Sequence, residues 1–329
     1  MEQIDILMAT YNGEKYLKEQ IESILQQTYT NFKLIISDDC SKDNTRKILE
    51  QYAQKDSRIE IHFQQQNLGY VKNFEFLLTK VENEIYMLSD QDDVWLPTKV
   101  EKTYNKMKEA DADLVFTDLE VVDENLQTLY PSFNDYMKLT RKIKKCKNDY
   151  TLQYLYNCVT GCTLMSKKKY INQMLPLPTQ SKYAIHDTWI ACTVANNGKM
   201  EYLDEKTIKY RQHGNNQVGT EKISHGFKKL DQVRRLFLDV KLGLFETYVA
   251  NDRIFNDKLK RENKQSLEYF KMIEKKKNFN FRKWNVFHKL YKNETFDYYI
   301  INFMIMNMPA IGRILFKIRY IFLKSQGKK

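Results

Sequence analysis

Asp90-Gln91-Asp92-Asp93 carries three carboxylates directly after the apolar run Glu84-Ile-Tyr-Met-Leu-Ser89. Carboxylates two residues apart behind a buried strand can offer oxygens to one hard cation. Mg²⁺ or Mn²⁺ held in this way takes its remaining ligands from water and substrate phosphates. A solvated acidic turn, or a helix start before Pro97, fits the same residues. A second acidic pair, Asp38-Asp39, follows Lys33-Leu-Ile-Ile-Ser37. Two further clusters mix acid, base and aromatic groups: Ala184-Ile-His186-Asp187-Thr-Trp189 and Lys209-Tyr-Arg211-Gln-His213-Gly-Asn-Asn-Gln-Val218. On residue type alone, Asp187 suits a helix N-cap as well as it suits a proton acceptor.

The elements that must hold these clusters alternate along the chain. Ile4–Ala9, 33–37, 59–63, 84–89 and 114–117 read as strands. Helical spacing of apolar residues marks Gly13–Gln27, Asp43–Gln54 (with Asp43 as its N-cap) and Tyr70–Val81. Such alternation predicts an α/β fold with a mainly parallel sheet flanked by helices, and ligands beyond the carboxyl ends of its strands. Both acidic clusters follow strands directly, so both should line one crevice. Later segments read as a strand at 160–165, a helix at 187–197 and short strands at 200–203 and 207–211, with 141–147 a basic loop. From residue 221 on the pattern is helical: 227–248, 252–275 and 298–323. Neither G-x-G-x-x-G nor a Walker A loop is present, which argues against dinucleotide oxidoreductases and P-loop NTPases.

Ala9-Thr10-Tyr11-Asn12-Gly13, Gln26-Gln-Thr-Tyr29 and Ile36-Ser-Asp38-Asp39 with Ser41 and Asn44-Thr45 resemble the start of the family 2 inverting glycosyltransferases. Asp90-Gln-Asp92-Asp-Val-Trp-Leu-Pro97 is similar to that family's D-x-D metal motif. These motifs stand in family order over residues 4–97, and the likeness extends more weakly to about 215. It implies a GT-A fold. The donor half would run to about residue 117 and the acceptor half from about 118 to 220. Residues 221–329 form a helical basic extension outside the likeness.

By position, the resemblance implies that Thr10, Tyr11, Asn12, Asp38 and Asp39 meet the donor nucleotide, with Tyr11 stacking on the base and Asp39 accepting its N3–H. Asp92 would bind Mg²⁺ or Mn²⁺, and Asp90 the ribose, or the metal through water. Asp187 would be the catalytic base, with Gly161, His186 and Trp189 shaping the acceptor site. In place of the Q-x-x-R-W element of many members, the Tyr-Arg-Gln-His-Gly-Asn-Asn stretch resembles bacterial rhamnosyltransferases of cell-surface polysaccharide synthesis. His213 would then complete the metal shell or donate to the leaving phosphate, and Arg211 would neutralise the diphosphate. The expected donor is dTDP-L-rhamnose, or alternatively a UDP-hexose, and the expected acceptor is a glycan, lipid-linked. A nucleotidyltransferase would need a Gly-rich signature near the N-terminus, which Ala9-Thr-Tyr-Asn-Gly-Glu14 does not supply.

The net charge of +11 is unevenly spread. Residues 221–329 hold 25 Lys and Arg against 11 Asp and Glu, whereas the first 220 hold 28 against 31. A near-neutral body with a basic extension points to a polyanionic partner for that extension. An anionic membrane surface is expected rather than nucleic acid, and helices packed on the catalytic domain with a charged outer face fit the same residues. A non-enzymatic adaptor working through that extension would leave the acidic clusters without a role. Self-association stays open. The N-terminus lacks the basic start of a secretory signal. The charge-free segment Tyr298–Gly312 is 15 residues with two Asn and a Pro, too short and polar to span a bilayer. Placement in the cytoplasm, peripheral on the inner face of the membrane, follows as the expectation. The five cysteines form no C-x-x-C pair and read as buried reduced thiols.

Overall fold

β1 (Ile4–Thr10) is apolar on both faces apart from Asp5, the signature of a central strand covered on both sides. Parallel strands flank it, β2 (Phe32–Asp38) on one side and β4 (Ile85–Ser89) on the other, and β3 (Ile59–Phe63) extends the sheet beyond β2. The register pairs Thr10 with Asp38 and Met8 with Ser89. Three strand ends therefore finish together, and the acidic residues that follow them emerge at one edge. Asp5, buried in β1, accepts from the amides of Glu82 and Asn83, both at 2.8 Å, and from Asn83 Nδ2 at 2.7 Å. These bonds satisfy a carboxylate that would otherwise be costly in a core.

Helices α1 (Leu17–Leu25), α2 (Thr45–Lys55), α3 (Tyr70–Leu78) and α4 (Lys99–Glu109) cover the sheet. Leu17, Ile21 and Ile24 of α1 are wholly buried, each contributing about 1.5–3 kcal/mol relative to exposure. Asp43 lies one residue before the cap position of α2, which Asn44 occupies, yet its carboxylate still accepts from the Thr45 amide at 3.0 Å.

The second half departs from a parallel sheet. The strand order is β3-β2-β1-β4-β8-β6-β9-β5, with β7 beside β6. β8 (Leu164–Lys167) runs antiparallel between β4 and β6 (Leu114–Val122), while β9 (Met200–Arg211) runs parallel to β6. β9 is one strand of 12 residues, where two short ones were expected; register shifts around Asp118 in β6 carry it through. β5 (Val94–Trp95) pairs Val94 with Lys209 and Trp95 with Ile208, which sets Asp92 and Asp93 beside the end of β9. The expected basic loop at 141–147 opens as a helix. α5 (Phe133–Tyr136) and α6 (Thr140–Lys145) follow β7 (Thr128–Tyr130), and α7 (Ile171–Met174) precedes α8 (His186–Asn197).

The computed structural model describes residues 2–145, 157–179, 185–213, 230–275 and 284–291. The Gly214-Asn-Asn loop and the helix expected at 298–323 lie outside them. Two compact units emerge, Met1–Glu221 and Lys222–Lys329. In the second, α9 (Leu230–Ala250), α10 (Asp257–Glu274) and α11 (Trp284–Tyr291) pack through aromatic side chains. Phe245 of α9 stacks on Phe270 of α10 at 5.6 Å, and Tyr269 of α10 meets Phe287 of α11 at 6.4 Å. Cys158, Cys162 and Cys192 are buried.

Candidate functional site

The loop after β1 is built as a rigid shelf. Tyr11 is 43% exposed, and its backbone is held on both sides by one side chain: its N–H donates to Gln91 Oε1 at 2.8 Å, and its carbonyl accepts from Gln91 Nε2 at 3.0 Å. Asn12, at φ +48°, donates its N–H to Ser41 Oγ and accepts the Lys42 amide, both at 2.8 Å. A side chain at Gly13 would place Cβ 2.3 Å from Gln91 Oε1, so glycine is what lets Gln91 reach Tyr11. Gln91, Ser41 and Gly13 were not assigned roles from sequence. The cue was a polar residue lodged between the carboxylates of Asp90 and Asp92.

Asp38 and Asp39 are both buried. Asp38 accepts from Thr10 Oγ1 at 3.1 Å, Ser41 N at 3.0 Å and Ser41 Oγ at 2.5 Å. Asp39 accepts from the amides of Leu68 at 2.6 Å and Gly69 at 2.9 Å, where Gly69 at φ +78° opens α3. Thr10 and Asp38 thus brace the shelf beneath Tyr11. Asp39 anchors the opposite loop, with one lone pair per oxygen left for another donor.

Carboxylates crowd the next strand end. One ligand atom each of Asp90, Asp93 and Cys162 lie within 4.8 Å of one another. Burial, and then the charges of Asp92 and Asp187, pushes Asp90 up to about 7. Burial, with Asp92 and Asp90, holds Asp93 well above the usual carboxylate range. Asp93 Oδ1 accepts the Arg211 amide at 3.1 Å, while its Oδ2 has no hydrogen-bond partner. Burial raises the Cys162 thiol, and Asp93 and Asp90 raise it further. Lys99 lies wholly buried nearby, brought down to about 8 by burial, with Nζ donating to Thr207 Oγ1 at 3.2 Å.

Asp92, two residues from Asp90, turns to the strand end beyond β5. Its Oδ2 lies 2.9 Å from His213 Nε2, and the two side chains keep 17% and 13% of their surface exposed. Two residues chosen from separate motifs 121 positions apart therefore meet. A carboxylate oxygen and an imidazole nitrogen, both reaching solvent, suit a divalent ion such as Mn²⁺. The buried Cys162 thiol is a poor partner for a hard cation.

Arg211 is not turned to the crevice. Its side chain is 3% exposed. Nε donates to the Asp92 carbonyl at 2.8 Å, one terminal nitrogen to the Glu124 carbonyl at 2.7 Å, and the other to the Glu19 carboxylate. The guanidinium expected on a diphosphate instead braces the Asp92 loop against α1 and the β6–β7 turn.

On the far side stands α8. Asp187, in its first turn and largely buried, accepts from the Gly161 amide at 3.2 Å and from the Thr188 amide and hydroxyl. Its charge is felt at both Asp90 and Tyr70, so the three share one neighbourhood. His186 stacks on Phe74 at 4.1 Å and meets Tyr70 edge-on at 6.1 Å. Burial lowers the His186 pKa against the pull of Asp187, and Nδ1 has no partner. Gly161 and His186 do border Asp187. Trp189, expected at the acceptor site, turns to the core. It is wholly buried, with Nε1 donating to the Met174 carbonyl at 3.0 Å. Two residues along a helix is roughly a 200° rotation, so Trp189 turns to the core when Asp187 faces the crevice.

The described fold thus sets a braced loop after β1, an acidic cluster and a carboxylate at a helix head around the strand ends of a mixed sheet. The profile of Glycosyl transferase family 2 matches residues 5–172, and the chain belongs to that family. It is 30% identical over 265 residues to the dTDP-rhamnosyl transferase RfbG of Shigella flexneri, covering 77% of this chain and 88% of that one. It is also 30% identical over 222 residues to the O-antigen biosynthesis glycosyltransferase WbnJ of Escherichia coli, covering 65% and 81% respectively. In fold it is similar to S. aureus TarS 1–349 solved with UDP-GlcNAc. The TM-score is 0.58 at 17% identity, over 82% of this chain and 72% of that one. The mannosyltransferase PcManGT of Pyrobaculum calidifontis, solved with GDP-Man and Mn²⁺, gives 0.52 at 12% identity, over 75% and 64%. The fold is thus of the GT-A kind, with a mixed sheet.

Proposed function

We propose that this glycosyltransferase is an inverting, metal-dependent enzyme that moves L-rhamnose from dTDP-L-rhamnose to a glycan hydroxyl in cell-surface polysaccharide assembly. The observation that carries the chemistry is the convergence around Asp90 of the Asp92–His213 pair and of Asp187. The donor assignment is supported by the 30% identity to a dTDP-rhamnosyl transferase across 88% of its length.

In this reading Tyr11 offers its exposed face to the thymine ring. Asp39 accepts the base N3–H on the lone pairs its two amide bonds leave. Asp92 and His213 hold the cation, with Asp90 beside it or on the ribose. A divalent cation bound there supplies positive charge to the leaving diphosphate. Asp187 takes the proton of the acceptor hydroxyl as that oxygen bonds to the anomeric carbon. The bond from that carbon to the diphosphate breaks, the dTDP departs with its electron pair, and a single displacement inverts the centre. The Gly161 amide keeps one Asp187 oxygen in place. Arg211 is left out of the diphosphate contact.

Calorimetric titration with dTDP-L-rhamnose and with UDP-glucose, each with and without Mn²⁺, tests the reading. Tighter, metal-dependent binding of the dTDP sugar is expected. Preference for the UDP sugar would discard rhamnose and keep the enzyme class, whereas metal-independent binding of both would remove the cation from the site.

A further inference from the structure

His213 reaches Asp92 from two residues beyond Arg211, where β9 ends. Something must fix the imidazole there. The Tyr16 ring, just before α1, does so from one side: its centroid lies 4.8 Å from that of His213, and the Arg211 guanidinium sits over it at 4.5 Å. The Tyr16 hydroxyl makes no hydrogen bond, so the ring face is what Tyr16 contributes. Glu19, three residues on in α1 and therefore on the same helix face, holds Arg211 by an ion pair. Arg211 in turn ties its own strand end to the Asp92 carbonyl, the Asp93 carboxylate and the Glu124 carbonyl. The Gln212 amide adds a bond to the Val122 carbonyl at 2.8 Å.

We infer that Tyr16, Glu19 and Arg211 are positioning residues that preset His213 against Asp92, so that the cation site exists before donor arrives. The inference rests on the cation reading above. It assigns Arg211 to the metal loop rather than to substrate phosphate, and it makes α1 part of the site although no α1 side chain would touch the ion. Groups that orient a metal ligand typically alter affinity by ten- to a hundredfold when removed.

Mn²⁺ binding to the donor-free protein, followed by the electron paramagnetic resonance signal of the free ion, tests this without any turnover. Tyr16→Leu and Arg211→Lys are expected to bind Mn²⁺ about tenfold more weakly than the unaltered chain. Tyr16→Phe keeps the ring and is expected within twofold. His213→Ala sets the floor. Tyr16→Leu combined with His213→Ala is expected to bind no worse than His213→Ala alone, because both remove the same contribution. A phosphate-contacting Arg211 predicts the opposite: Arg211→Lys with unaltered Mn²⁺ affinity in the absence of donor. That result, or additive losses in the double variant, would overturn the inference. Failure of the unaltered chain to bind Mn²⁺ would instead remove the cation reading on which it rests. Circular dichroism melts of each variant separate lost positioning from lost folding.

Discussion

One carboxylate oxygen of Asp187 is held by the Gly161 amide and the other by Thr188, which fixes the group while leaving lone pairs for an incoming hydroxyl. Asp187→Asn keeps an amide oxygen for one of those bonds but cannot take a proton. Transfer should fall about a thousandfold, within the 10²–10⁴ range of general-base loss, while donor affinity by calorimetry stays within twofold. Normal turnover by Asp187→Asn would end its assignment as base. Asp90 carries a second consequence at the same scale. Folded, it keeps its proton to about pH 7, whereas an ordinary carboxyl loses it near 3.8. Between those values the folded state binds more protons, so stability falls as pH rises through the window. His186, lowered from 6.5 by burial, acts in the opposite sense, so the useful quantity is the difference from Asp90→Asn. With chelator present, the chain is expected to lose more melting temperature than Asp90→Asn between pH 5.5 and pH 8. Equal losses would mean that Asp90 ionises freely in the fold.

Strands announced themselves by short apolar or alternating runs, which is why β1 to β4 and the helices between them were legible from spacing alone. What sequence could not give was the antiparallel half. β5 has only two residues and leaves no periodicity, yet its pairing with β9 is what carries His213 to Asp92. α4 was masked by the charges of Lys99, Glu101, Lys102, Lys106 and Lys108, and its one wholly buried cation, Lys99, reads as surface in any pattern of residue types. Motif order picked out Asp92 and His213, which the structure brings together. It carried no sign that packing tucks Arg211 into the protein and leaves Trp189 wholly buried. The second of these is decided by stability rather than kinetics. Trp189→Ala empties a wholly buried site and should cost about 3–5 kcal/mol in urea unfolding, with the KM for acceptor unchanged for the fraction that remains folded. Trp189→Phe retains most of the volume and gives up the bond to Met174, a loss of about 1 kcal/mol. A raised acceptor KM with unchanged unfolding would return Trp189 to the sugar pocket.

The charge of the whole chain divides where its compact units divide. The body is close to neutral, whereas residues 221–329 hold 25 cations against 11 anions. Among the described residues no helix is long and apolar enough to cross a membrane. Beyond them, Arg313, Lys317, Arg319 and Lys324 alternate with Ile314, Phe316, Ile318 and Ile321, cations interleaved with groups that can enter an interface. We propose that this segment rests on anionic lipid, which would bring the crevice to a lipid-linked glycan. Each cation near such a surface contributes on the order of 1 kcal/mol, and salt erodes that attraction as the Debye length contracts. Replacing the four cations by Gln should therefore weaken binding to phosphatidylglycerol vesicles by at least tenfold in a flotation assay, and 0.5 M salt should release the unaltered chain. Transfer to a soluble glycan acceptor should be unaffected, because no part of the described site belongs to that segment. Equal binding to neutral vesicles, or to anionic ones after the replacements, would show that lipid contact is made elsewhere and leave the basic extension to some other partner.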